Sequence, residues 1–108
     1  MNNSSYYLIH VDGEQSGYSV AKVVNGVMVG LLPLKYTQLV LLDSSYINLD
    51  ISYYEINMIV LKTNEVIFSY DITEYHSNNG RINSRSYFVS HDGRLIRVKD
   101  IAAVVVYE

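Results

Sequence analysis

Short apolar runs recur along the chain, alternate with polar positions at a period of two residues, and are separated by turn residues. Runs of about four to eight residues rich in Val, Ile and Tyr are typical of β-strands. The turn signals between them predict about seven to nine strands. We therefore expect an all-β fold in which residues 1–108 form one small barrel or sandwich of antiparallel hairpins, with residues 1–4 as a flexible tail.

The strongest turn signal is Asn25-Gly26, the preferred pair for a two-residue type I′ turn because both positions need positive φ. A hairpin from Tyr18 to Leu32 that closes on this turn pairs Ala21 with Gly30. Both faces of this hairpin are apolar, so we expect it to lie centrally and to be covered on both sides.

Two further hairpins follow over residues 54–73 and 85–100, with two-residue turns near Thr63-Asn64 and at Asp92-Gly93. The turns set the register and so decide which side chains share a face. The predicted pairs are Lys62 with Glu65 in the second hairpin and Val89 with Ile96 in the third. The apolar run from Ala102 to Tyr107 is expected to be an interior strand.

Residues 33–43 allow two interpretations. Pro33 suits the first position of a helix, whereas Tyr36, Thr37 and Val40 favour a strand. We predict a strand there, with a short helix within residues 33–43 as the alternative.

Tyrosine dominates the aromatic residues, since the chain has 11 Tyr, 2 Phe and no Trp. Only 18% of the residues are charged, below the usual level of about 25%, so uncharged polar groups must cover much of the surface. Tyr suits such a surface and is enriched at protein interfaces. It is also a common strand residue, so both interpretations stay open.

The chain carries no recognisable motif for catalysis, metal binding or cofactor binding. It has no cysteine, which excludes disulfides and thiolate ligands. Its three histidines are far apart, and its scattered glycines form no phosphate-binding loop. We therefore expect a non-enzymatic protein without cofactor or metal. The apolar runs are too short to span a bilayer and no signal peptide is visible, so we expect a cytoplasmic protein that binds no membrane.

Charge is unevenly distributed, although the net charge is only −3. Residues 41–75 hold six acidic residues and one lysine, whereas residues 76–99 hold five basic residues and one aspartate. Tyrosines accompany the acidic residues, and rings beside carboxylates suit a basic protein surface. We predict an acidic, Tyr-rich partner-binding surface. Its residues are Tyr46, Asp50, Tyr53, Tyr54, Glu55, Tyr70, Asp71, Glu74 and Tyr75.

The basic region offers an alternative binding surface. Its residues are Arg81, Arg85, Phe88, Arg94, Arg97 and Lys99. A basic strand face with an aromatic ring can bind single-stranded nucleic acid, but the chain is acidic overall, so nucleic acid is not the expected partner. The acidic and basic regions of two copies can also face each other in a homodimer.

Small size, the absence of catalytic motifs and the Tyr-rich acidic residues together lead us to expect a protein-binding module. More concretely, we expect a small inhibitor or accessory protein of a phage or other mobile element, acting in the bacterial host cell. Its partner is then another protein with a basic surface, or a second copy of itself. The alternatives are a self-assembling structural subunit, for example of a virion, and, less favoured, a nucleic-acid-binding β domain.

Overall fold

The protein is all-β, as predicted. A computed structural model describes residues 4–12, 17–42, 48–77 and 81–107. This part of the chain contains twelve strands and four 3-10 helices of three residues each. No helix within it is long and apolar enough to cross a bilayer. The strands are β1 Ser4–Val11, β2 Gly17–Val24, β3 Val27–Pro33, β4 Leu39–Leu41, β5 Asn48–Ser52, β6 Ile56–Leu61, β7 Val66–Phe68, β8 Ile72–His76, β9 Arg81–Asn83, β10 Tyr87–Ser90, β11 Leu95–Arg97 and β12 Ile101–Val106.

The strands form four hydrogen-bonded sheets. The central sheet has the strand order β4-β12-β6-β7, the outer sheet β1-β2-β3, the far sheet β11-β10-β8, and the small sheet β5-β9. Every named strand pair is antiparallel. The predicted interior strand is confirmed, because β12 lies inside the central sheet and both Val104 and Val105 are fully buried.

The 3-10 helices are corners at which the chain passes from one sheet to another. They are η1 Tyr36–Gln38, η2 Tyr53–Glu55, η3 Ser69–Asp71 and η4 Val98–Asp100. After η2, η3 and η4 the chain continues in extended conformation with a buried isoleucine: Ile56, Ile72 and Ile101. Burial of each isoleucine contributes about 1.5–3 kcal/mol, which favours redirecting the chain into the core at that residue. These corners divide long extended segments, so the strands outnumber the seven to nine expected.

Residues 33–43 contain both predicted alternatives in succession. The corner η1 follows β3, and β4 begins at Leu39. The amide of Lys35 donates a hydrogen bond of 2.9 Å to Oε1 of Gln38, which closes this short turn. Residue 43 lies outside the described part of the chain.

Two hydrophobic cores lie on opposite faces of the central sheet. The larger is enclosed by the central, far and small sheets and includes Ile59, Ile82, Phe88, Ile96 and Val104. The smaller lies between the central and outer sheets, and its buried residues are Val20, Met58, Val60, Val66, Ala103 and Val105. Because β6, β7 and β12 contribute to both cores, they read as continuous apolar runs.

The β6–β7 and β10–β11 hairpins are related by a local two-fold symmetry with an offset of 29 residues. The strand that follows the corner of each hairpin pairs with the first strand of the other hairpin. β8 thus pairs with β10, and β12 pairs with β6. Reciprocal bonds join the two loops to the two corners: Lys62 N–H donates to the Asp100 carbonyl, and His91 N–H to the Asp71 carbonyl, each at 2.9 Å. The two hairpins therefore form one interlocked unit.

The predicted registers of the second and third hairpins are wrong by one residue. The amide of Leu61 donates to the Glu65 carbonyl at 2.9 Å, and that of Ser90 to the Arg94 carbonyl at 3.0 Å. Each loop thus has three residues and ends in a left-handed residue, Asn64 at φ 72° or Gly93 at φ 83°. A shift of one residue exchanges the two faces of a strand, so the partner of Ile96 is Phe88 rather than Val89.

The first hairpin has the predicted turn but not the predicted surroundings. Val23 pairs with Met28 as expected, but a bulge then places Leu31 rather than Gly30 opposite Ala21. β2 is central within the outer sheet, whereas β3 lies at its edge and all of its residues are exposed. The expectation of cover on both faces is therefore wrong for β3.

The third hairpin loop is closed by a carboxylate. The Ser90 hydroxyl donates a hydrogen bond to Asp92, and the amide of Arg94 donates to the same carboxylate at 3.4 Å. Chiefly because of the Ser90 hydrogen bond, and then the backbone bond from Arg94, the pKa of Asp92 is lower than its ordinary value.

We expect Ser90→Ala to raise the pKa of Asp92 towards its ordinary value. A lowered folded-state pKa adds stability above the unfolded pKa, and that contribution is lost as the pH falls through the folded pKa. The variant should therefore lose less stability on acidification than the wild type. Carboxyl-carbon NMR titration measures the pKa, and Ser86→Ala, which removes a hydroxyl that accepts from Asn83 N–H instead, should leave it unchanged.

Candidate protein-binding surface

One end of the central sheet gathers three of the four corners. β12 pairs with both β4 and β6, and β6 pairs with β7, each time antiparallel. The start of β4, the end of β12, the start of β6 and the end of β7 therefore lie at the same end of the sheet. The corners η1, η2 and η3 adjoin three of these strand ends. Tyr107 follows the fourth. Adjacent strands are about 4.8 Å apart, so residues on the four ends lie within roughly 15 Å.

Each of these four strand ends carries an exposed tyrosine, and we call the four residues the tyrosine row. In strand order they are Tyr36, Tyr107, Tyr54 and Tyr70, with exposed fractions of 97%, 57%, 88% and 68%. A phenol ring provides a large contact area with few rotatable bonds. Four such side chains, exposed at one end of one sheet, provide contact area suited to binding another macromolecule.

Contacts between backbone and side chains hold the strand ends together. Tyr107 N–H donates to the Glu55 carbonyl at 3.0 Å, and its hydroxyl lies 3.4 Å from the Ser69 hydroxyl. On the other side, the side-chain amide Nε2 of Gln38 donates to the Val106 carbonyl at 3.4 Å. The bases of the four tyrosines are therefore positioned by the sheet and its corners.

Tyr70 is supported by an aromatic stack. Its ring lies parallel to that of Phe68 at a centroid distance of 5.1 Å, and Tyr6 meets Phe68 edge-on at 4.6 Å. Partial burial is the largest cause that raises the pKa of the Tyr70 phenol, followed by the charge of Asp71 and then by Tyr6. The Tyr70 phenol therefore stays neutral to a higher pH than an ordinary tyrosine.

We expect Asp71→Asn to lower the pKa of Tyr70 without returning it fully to the ordinary value. The change removes the negative charge that disfavours the phenolate, whereas the larger effect of burial remains. NMR titration of the tyrosine ring carbon measures the shift. Asp100→Asn changes the equivalent residue of η4 at the opposite end of the central sheet, and an equal shift in that variant would contradict the assignment.

The structure brings together only part of the predicted acidic surface. Glu55 and Asp71 are the last residues of η2 and η3, both are exposed, and they accompany Tyr54 and Tyr70. Glu74 is also exposed but belongs to the far sheet, where its carboxylate lies 3.9 Å from Nε2 of His76. Tyr46 and the side chain of Asp50 lie outside the described residues.

Tyr53 and Tyr75 do not belong to the exposed surface, although both were predicted to. Their rings stack at 4.8 Å, and Tyr75 lies 4.9 Å from the buried ring of Phe88. Both are half-buried against the larger core, and the buried Tyr75 hydroxyl has no hydrogen-bond partner among the described residues. Their role is to close the core between the small and far sheets.

The predicted basic patch is likewise divided. Phe88 is fully buried, so it cannot stack on a nucleobase. Arg94 donates to Glu65 at 3.0 Å and is an ion-pair partner rather than a free cation. Arg85, Arg97 and Lys99 are exposed, and the side chain of Arg81 lies outside the described residues. The aromatic residue opposite Arg97 is Tyr87, which is half-exposed and stacks on His76. The predicted combination of Phe88 with the basic residues therefore does not form.

A groove of about 440 Å³ adjoins Tyr36 at one end of the tyrosine row. Tyr18, Leu34, Leu39 and Leu41 form much of its wall. Lys35 and His10 contribute its polar groups. A mostly apolar groove of this size can hold one large side chain of a partner, which is how interface anchors are commonly bound.

Sequence reasoning grouped Tyr54, Glu55, Tyr70 and Asp71 on one surface, as the structure does, but did not place Tyr36 and Tyr107 beside them. The missed tyrosines lie outside the acidic segment and join the others only through the pairing of β4 and β12. The available signal was a tyrosine at or beside a strand end, which recurs at all four positions.

Neither metal-site geometry nor similarity to known proteins adds a further assignment. Within the described residues, no group of three or more His, Cys, Asp or Glu side chains is placed to hold a metal ion. A scan against protein-family models and searches of curated proteins and of solved structures found no match to this chain.

Proposed function

We propose that this protein is a non-enzymatic binding module that docks a basic protein surface through the tyrosine row, Glu55 and Asp71. The observation that supports it is the gathering of four exposed tyrosines at one end of one sheet. Tyrosine is enriched among the residues that dominate binding energy at interfaces. A surface of this composition favours a protein partner over a small substrate.

The two carboxylates give the proposed surface its preference for a basic partner. Glu55 and Asp71 are exposed on corners beside Tyr54 and Tyr70. Exposed charges at the rim of an interface mainly accelerate association and select partners of opposite charge. The tyrosines then supply most of the affinity, and the groove beside Tyr36 receives one apolar anchor of the partner.

A module of this kind acts by covering a functional surface of its partner. We propose accordingly a small inhibitor or accessory protein, of a phage or another mobile element, that works in the reducing cytoplasm of the host cell. The absence of cysteine supports a reducing compartment.

The test is affinity capture from a bacterial lysate with the immobilised protein, followed by identification and binding measurements with the purified captured protein. We expect a basic protein whose affinity falls as salt increases, because exposed charges are screened. Replacing both Tyr54 and Tyr70 by Ala should weaken binding by roughly 30-fold or more, which corresponds to a loss of at least about 2 kcal/mol from the two residues together.

Charge reversal at Glu55 and Asp71 should slow association more than it speeds dissociation. Glu74→Lys is the matched control, because Glu74 is an exposed acidic residue of the far sheet rather than of the tyrosine row. Equal effects of Glu74→Lys and Asp71→Lys on the association rate would show that the carboxylates beside the tyrosine row do not belong to the interface. Binding unchanged in the Tyr54→Ala, Tyr70→Ala double variant would disprove the proposal.

A further inference from the structure

β3 is an apolar edge strand, and all seven of its residues are exposed. Val27, Met28, Val29, Leu31 and Leu32 each expose between 48% and 61% of their surface. Val27 and Leu32 lie on the face towards the central sheet, and Met28 and Leu31 on the outer face. Proteins protect an edge strand with charged residues, proline or a β-bulge, or keep it very short. β3 has seven residues and no charge, and its only such features are the bulge at Val29 and Pro33 at its end.

Charge is absent along this whole edge. From Val23 to Leu34 the chain contains no Asp, Glu, Lys, Arg or His. Within the described residues, β3 pairs only with β2. Nothing on the edge therefore repels a second strand of the same sequence.

The backbone of β3 also has hydrogen-bonding groups that face away from β2. Leu34 N–H donates to the Tyr18 carbonyl at 2.9 Å. Amides alternate in direction along an antiparallel strand, so the N–H of Leu31 points outward. Pro33 occupies the next outward position and has no N–H to leave unpaired, as is usual at a sheet edge.

We propose that β3 pairs with β3 of a second copy of this chain and joins two outer sheets into one continuous six-stranded sheet. The strands would run antiparallel about a two-fold axis near Val29 and Gly30. A symmetric dimer requires a surface that complements itself, and an uncharged apolar strand edge satisfies this condition. An acidic or basic edge would instead repel its own copy and require a partner of opposite charge.

The available area is consistent with a weak dimer. Five half-exposed apolar side chains expose on the order of 100 Å² each, so roughly 1,000 Å² is the upper limit of side-chain area that two copies bury, because edge-to-edge pairing leaves part of both sheet faces exposed. Specific interfaces begin at about 1,200 Å² in total. This inference is independent of the proposed function, because the tyrosine row lies at the end of the central sheet.

Sedimentation equilibrium at micromolar concentrations tests the proposal. We expect a reversible monomer–dimer equilibrium with a dimer of twice the 12.3 kDa chain mass. Leu31→Lys should weaken dimerisation by roughly tenfold or more, since it places like charges close together across the two-fold axis. Leu95→Lys is the matched control, because Leu95 is 47% exposed on the edge strand β11 and Leu31 is 48% exposed.

Cysteine cross-linking gives a second measurement that does not depend on a destabilising charge. The chain has no cysteine, so a Val29→Cys variant has a single thiol that should form an intermolecular disulfide under mild oxidation, whereas Leu95→Cys should not. A strict monomer at about 100 μM, well above common weak-dimer dissociation constants, would overturn the proposal. Equal cross-linking of the two variants, or equal weakening by Leu31→Lys and Leu95→Lys, would overturn it as well.

Discussion

Phe88→Ala is expected to lower the free energy of unfolding by about 3–5 kcal/mol, the usual cost of removing a fully buried phenylalanine side chain. Phe88 is 0% exposed and lies in the larger core against Tyr75 and, at 6.4 Å, Tyr53. A domain of this size has a total stability of about 5–15 kcal/mol. The variant should therefore unfold at a much lower urea concentration.

Urea unfolding followed by circular dichroism measures this loss, and Tyr87→Ala is the matched control. Tyr87 is the preceding residue of β10, faces away from the core and stacks on His76 at 4.4 Å. We expect its truncation to cost about 1 kcal/mol, as for a typical substitution outside the core. A larger loss for Tyr87→Ala than for Phe88→Ala would support a register in which Tyr87 faces inward.

Ile72→Ala and Ile101→Ala should each cost about 2–5 kcal/mol, the range for removing a buried isoleucine. These residues follow η3 and η4 and occupy equivalent positions in the two interlocked hairpins. Ile101 is 2% exposed and Ile72 is 7% exposed. Losing either one also weakens the bend that directs its strand towards the other hairpin.

Both isoleucine variants should unfold in a single transition, because each hairpin completes the sheet of the other. Coincident changes in circular dichroism and tyrosine fluorescence would show this. Leu95→Ala, at a half-exposed position, is expected to cost clearly less than either. Two separate transitions in either variant would contradict the interlocked arrangement of the hairpins.

The fold class and the turns were accessible from sequence because they depend on local chemistry. The positive φ values at Asn25 (51°) and Gly26 (80°) agree with the predicted turn, and Gly93 ends the predicted third loop. The registers were not accessible, since a two-residue and a three-residue loop differ by only one residue. Both mispredicted hairpins use the longer loop, which ends at a left-handed Asn64 or Gly93.

The corners were not anticipated, although the sequence carries a signal for them. Each of η2, η3 and η4 ends in an acidic residue that precedes a buried isoleucine. An acidic residue directly before a buried isoleucine also fits a continuous strand whose side chains alternate between two faces, so periodicity alone favours an uninterrupted strand. The corners exist because cores on both sides of the central sheet require the chain to change direction.

The candidate surface was predicted only where its residues are close in sequence. Tyr54 and Tyr70 belong to one hairpin, whereas Tyr36 and Tyr107 join them through pairings of distant strands. The exposure of β3 was missed because a two-sided apolar hairpin usually lies inside a sheet. Pro33 at its end was the contrary signal, since proline within sheets is confined to edges, strand ends and bulges.

Three of the four tyrosines lie on corners and Tyr107 follows the end of β12, so the proposed binding surface is separate from the two cores. Tyr36, Tyr54, Tyr70 and Tyr107 contribute little to either core, because the isoleucine or leucine after each corner and the neighbouring strands do so instead. Substitutions at these four positions should therefore cost little core packing, apart from the contacts of Tyr70 with Phe68 and of Tyr107 with Ser69. The protein is in this sense a small display platform, on which new specificities can be selected without redesigning its interior.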